Sequence, residues 1–144
     1  MESIDHRNVA IATYNRSQEL LYAQRTSEED IELLTCAFAS RYHWQQIGGP
    51  QQKSVADWAV SRAAVAVGET ALGLEYAIRA ANAVEIQFPS WLRASLLEGV
   101  ARAYNAMGEI ERRDEFIARA RAELKLEKDR EDAAIIESQI NELL

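Results

Sequence analysis

The sequence predicts an all-α protein, with about seven helices paired as antiparallel hairpins in a short right-handed array. Three observations carry this expectation. The stretches between the glycines and prolines are rich in Ala, Leu, Glu, Gln and Arg, the better helix formers. The punctuation falls at Gly48-Gly49-Pro50, Gly68, Pro89 and Gly108, and links as short as those at Gly68 and Gly108 make consecutive helices fold back on each other. Finally, a shift of 40 residues lays Ser61–Glu69 on Ala101–Glu109 with five of nine positions identical, Arg62 with Arg102, Gly68 with Gly108 and Glu69 with Glu109 among them.

A first helix is expected over about 4–24, where Val9, Ile11, Ala12, Leu20 and Leu21 recur near helical spacing. Arg25-Thr26-Ser27 ends it. Thr26 with Glu29 is a capping-box pair, and Glu28, Glu29 and Asp30 put negative charge at a helix N-terminus, so a second helix runs to about Ile47. Its two apolar stripes, Ile31/Leu34/Phe38/Tyr42 and Leu33/Ala37/Trp44, predict packing on both sides. Further helices are expected over about 51–67, 69–87, 89–107, 109–126 and 129–143, with Pro89 in a first turn, where its missing N–H costs nothing. The chain then reads as one domain over 1–144: a divergent N-terminal hairpin (1–49), repeat hairpins (50–88 and 89–126) and a capping helix (127–144).

Composition bounds the function. With 48% hydrophobic and 27% charged residues, the 144-residue chain is neither disordered nor membrane-spanning by default. Its net charge of −7 argues against nucleic acid and anionic membrane as partners. The charged N-terminal stretch, with Glu2, Asp5 and Arg7, lacks a signal peptide's apolar run. Together with the single Cys36, which fits a reducing compartment better than a disulfide, it predicts a cytoplasmic protein.

The residues of the self-match resemble the tetratricopeptide repeat. Leu97, Val100, Ala101, Tyr104, Gly108 and Ala120 fit its pattern, and Val60, Ser61, Gly68, Gly73 and Ala80 fit it upstream. Ala64 stands in place of an aromatic, Arg113 in place of a small residue, and the spacing is six residues longer than the usual ~34. The resemblance spans about 54–126. The stretch Ala39–Trp44, with Trp58 and the Ser61-Arg62 pair, is also similar to a group of uncharacterised bacterial helical-repeat proteins. That group implies a fold and no known activity; the tetratricopeptide resemblance implies a concave groove that binds a polypeptide.

No enzyme chemistry is expected. The two histidines, His6 and His43, have no metal-ligand spacing around them, and no phosphate loop, dinucleotide fingerprint or elbow serine occurs, so neither cofactor nor metal is predicted. Trp58 and Arg62 are four apart on one helix; Glu98, Arg102 and Asn105 share the corresponding face of another. On the repeat reading these five line the groove, where an indole beside two arginines suits an acidic partner or a C-terminal carboxylate. Read blandly, Glu98 and Arg102 form a surface salt bridge worth ~0.3–0.5 kcal/mol. An alternative is a sensor whose small-ligand pocket uses Arg41, His43 and Trp44 at the end of the second helix. Both Trp44 and Trp58 are expected to be largely buried. In the charged last quarter, Ile136, Ile140 and Leu143 offer a stripe through which the C-terminal helix could form a homodimer.

Overall fold

The structure, a computed structural model, describes residues 3–144; Glu2, one of the charges read in the N-terminal stretch, lies outside them. Seven helices and no strand occur among the described residues: α1 (His6–Leu21), α2 (Ser27–Ile47), α3 (Pro50–Ala66), α4 (Thr70–Asn82), α5 (Ser90–Ala106), α6 (Ile110–Leu124) and α7 (Arg130–Asn141).

The capping box forms as the sequence implies. The Thr26 hydroxyl accepts from the Glu29 N–H at 3.2 Å while the Glu29 carboxylate accepts from the Thr26 N–H at 3.1 Å. Pro50 opens α3 at its first position, but Pro89 sits one residue before α5, as its N-cap. The clearest deviation is α4, which stops at Asn82 instead of continuing to Gln87. Pro89 disfavours helical backbone in the residue before it, and Phe88, 3% exposed, turns into a cluster with Ala80, Leu92 and Leu96. Arg93 then fixes the loop by donating to the carbonyls of Ile86 (3.1 Å) and Phe88 (2.9 Å).

The 40-residue self-match is structural. Gly68 (φ 88°) and Gly108 (φ 76°) both take left-handed backbone, which an L side chain resists. The Glu69 N–H reaches the Ala64 carbonyl (2.8 Å) and the Glu109 N–H the Tyr104 carbonyl (3.0 Å), while the Gly68 and Gly108 N–H groups reach Val65 and Asn105, each at 3.1 Å. Both helix ends therefore close in the same Schellman geometry. The following helices differ in one respect. A Cβ on Gly73 would lie 2.6 Å from Val65 Cγ2, so α4 needs glycine to approach α3. At the matching position Arg113 turns aside instead, donating to Asn105 Oδ1 (3.0 Å) and to the Leu143 carbonyl (2.7 Å).

Hairpins α1/α2, α3/α4 and α5/α6 stack through α2 on α3 and α4 on α5. The leading helices α1, α3, α5 and α7 also approach backbone to backbone in a continuous row, whereas α2 and α4 meet only through side chains, Phe38 against Tyr76 with ring centroids 5.4 Å apart. The array thus curves with the leading helices on its inner side. Ile136, Ile140 and Leu143 are buried against Ala94, Ala101, Ile117 and Ala120. The stripe named for a possible dimer is thus spent within the chain, where α7 covers the last hairpin. Among the described residues no helix is long and apolar enough to cross a membrane.

Candidate functional site

Two features occupy the inner side, and the sequence pointed to the first. Glu98 is fully buried on α5, with Arg102 Nη2 2.8 Å from one carboxylate oxygen and Arg62 Nη1 3.5 Å from the other. Arg62 also lies over the Trp58 ring, 5.6 Å from its centroid. Arg102 reaches further, to Glu142 Oε2 (2.8 Å) and the Gln139 carbonyl (3.2 Å) on the C-terminal segment. Four of the five proposed groove residues therefore meet. Asn105 does not join them, since it accepts from Arg113.

The surface-salt-bridge reading is corrected by burial, because α7 and the residues after it lie over Arg102 while α3 lies against Glu98. Both arginine charges also face carboxylates within the chain, Arg62 that of Glu98 and Arg102 those of Glu98 and Glu142. Burial, then the nearby Arg102 charge, holds the Arg62 guanidinium below its ordinary pKa. Burial opposes charge on Arg102 too, but the Glu98 carboxylate and the hydrogen bonds that Arg102 donates to Glu142 and Glu98 outweigh it and raise its pKa. One carboxylate thus serves two cations unequally, hydrogen-bonding the first and only facing the second.

The alternative trio of Arg41, His43 and Trp44 is not brought together in one pocket. Arg41 Nε donates to Asp57 on α3 at 2.6 Å and its guanidinium lies 5.2 Å from the Tyr76 ring centroid. His43 Nδ1 meets His6 Nδ1 at 2.9 Å. The ring centroids of that pair are 5.1 Å apart, so the two nitrogens face each other head-on, as an N–H···N bond requires and as a shared metal ion would not. Trp44 alone faces a cavity.

That cavity is the second feature; it opens at the end of α2, where the alternative reading put a small-ligand pocket, but of that trio only Trp44 lines it. A cleft of about 550 Å³ opens between α1, the end of α2, the start of α3 and the α4–α5 loop. Ile11, Tyr14, Trp44, Pro50, Val55 and Phe88 supply its apolar walls. Gln51, Gln52 and Gln87 add amides, and Glu85 is its one charged group. Trp44 and Trp58 are half-buried: Trp44 forms a wall of this cleft, and Trp58 packs against the cluster of Phe88, Leu92 and Leu96 with its Nε1 buried beside Gly99. Burial raises the Tyr14 phenol above its usual pKa, with Tyr22 adding to the rise and Arg62 opposing it. At the cleft's edge Ile86 is 91% exposed on a loop whose backbone Arg93 holds in place. Cys36 is half-buried and its thiol is pushed up in pKa by burial, the reverse of an activated nucleophile. No cluster of three metal-ligating side chains occurs among the described residues. No family model, curated protein or solved structure matches the chain.

Proposed function

We propose that the protein is a non-catalytic interaction module, a tetratricopeptide-like helical array that binds a polypeptide on the inner side of its hairpins. The carrying observation is the 550 Å³ cleft, whose apolar walls, amide-bearing edge and displayed Ile86 form a surface for an extended segment. The Trp58–Arg62–Glu98–Arg102 cluster supports that surface from behind. Its opposite charges hold α3 against α5, with Arg102 bonded to Glu98 at 2.8 Å and Arg62 facing it at 3.5 Å.

A small-ligand sensor is the second reading, favoured by the concavity of the same cleft and by Trp44 within it. Val55→Trp fills the cleft and separates the two. A polypeptide that co-purifies stoichiometrically with the unmodified chain and is lost from Val55→Trp supports the module. A retained small molecule, found by mass spectrometry and lost from the same variant, supports the sensor. A partner held equally by both proteins places the binding surface elsewhere.

A further inference from the structure

The acidic-partner expectation rested on Arg62 and Arg102, and both are neutralised by Glu98 and Glu142. The cleft carries the opposite sign. Glu85 is its sole charged residue, no lysine or arginine lines it, and the Glu85 carboxylate forms no ion pair among the described residues, accepting only the Gln87 amide. Half-buried between aliphatic and aromatic walls, that charge is poorly screened by water, so an added cation gains more there than on open surface. The walls suit one class of cation in particular. The chain's own Arg7 already lies over the Trp44 ring, 5.4 Å from its centroid, and a partner's guanidinium can lie in the same manner on the remaining aromatic surface of Tyr14 and Trp44 while its methylene stem covers Val55 and Pro50. The chain's net charge of −7 draws the same class of partner from a distance.

We infer that the cleft takes an arginine side chain of a polypeptide partner, its stem along the apolar walls and its guanidinium on Glu85, with Gln51, Gln52 and Gln87 bonding the partner's backbone. This rests on the proposed function and names the partner's chemistry. The planar fork of a guanidinium meets a carboxylate through two parallel N–H···O bonds, which an ammonium cannot do. Arginine should therefore outcompete lysine at this position.

The test uses the full chain and a set of acetylated, amidated heptapeptides with apolar flanks and Arg, Lys, citrulline or Glu at the centre, followed by fluorescence anisotropy of a labelled terminus. The Arg peptides are expected to bind at least tenfold tighter than their citrulline counterparts, which keep the shape and lose the charge. Glu85→Gln should erase that difference while its melting temperature stays at the unmodified value. If peptides bind without regard to charge and Val55→Trp abolishes binding, the module stands and the arginine inference falls. Preference for the Glu peptides also overturns it, as does an Arg preference that survives Glu85→Gln. Failure of every peptide to bind overturns both the inference and the polypeptide reading of the cleft.

Discussion

Arg62 and Arg102, forty residues apart and related by the internal repeat, converge on the single carboxylate of Glu98. Repetition placed two cations on one side of the array, and the fold buried one anion between them. With Glu98 fully buried and Arg62 only 7% exposed, removing the carboxylate leaves a guanidinium without its counter-charge in a dry site. Glu98→Ala is expected to cost about 3–5 kcal/mol in urea unfolding, as for other broken buried pairs. A loss below about 1 kcal/mol would show that water reaches this cluster and that it behaves as a surface network.

The two Schellman turns make a paired prediction. An added Cβ at Gly68 or Gly108 meets nothing within 4 Å, so only the left-handed backbone opposes a side chain there. Gly68→Ala and Gly108→Ala should each cost about 1–2 kcal/mol, and by similar amounts. Gly73→Ala is a different case, because its Cβ collides with Val65, and pairing it with Val65→Ala should recover part of the loss. Equal penalties for all three single variants, unrelieved by Val65→Ala, would contradict this distinction.

These turns were legible because the capping box, the prolines and the glycines act through the next few residues. The end of α4 was not, since it is set by Phe88 burying itself and by Arg93 gripping two carbonyls from the next helix. The candidate site divides in the same way. Helical spacing and the 40-residue shift showed that Trp58, Arg62, Glu98 and Arg102 share a side, but Arg102 is covered by the C-terminal segment, which reaches it from 37–40 residues away. The cleft draws its walls from four segments with no common motif, and the two histidines meet across 37 residues, so no local pattern contains either.

His6 and His43 tie the start of α1 to the end of α2 through one N–H···N bond. A double-mutant cycle with His6→Ala and His43→Ala should give a coupling of about 0.5–1.5 kcal/mol, the usual net worth of such a bond. Additive effects would mean that the rings contribute only packing.

Tyr14 supplies a test of the cleft's dryness. Burial raises its phenol pKa, so the folded state holds this proton more tightly than the unfolded chain does. The stability contributed by the neutral phenol is complete below the ordinary tyrosine range near 10 and is lost as pH rises through the higher folded value. Absorbance titration should therefore show a phenol ionising late, and Tyr14→Phe should remove that step and flatten the alkaline loss of stability. Tyr14→Phe leaving both curves unchanged would place the phenol in contact with water.

The central claim is that partners bind at the cleft between α1, α3 and the α4–α5 loop, and photo-crosslinking tests it most directly. Benzoylphenylalanine is placed at Gln51 in the cleft or at Glu137 on α7, where a shallow groove beside Arg121 gives a matched surface at the far end of the array. The central-arginine heptapeptide should crosslink at position 51 and not at 137, and unlabelled peptide should compete the product away. Crosslinking confined to position 137, or unaffected by competitor at 51, would contradict the claim.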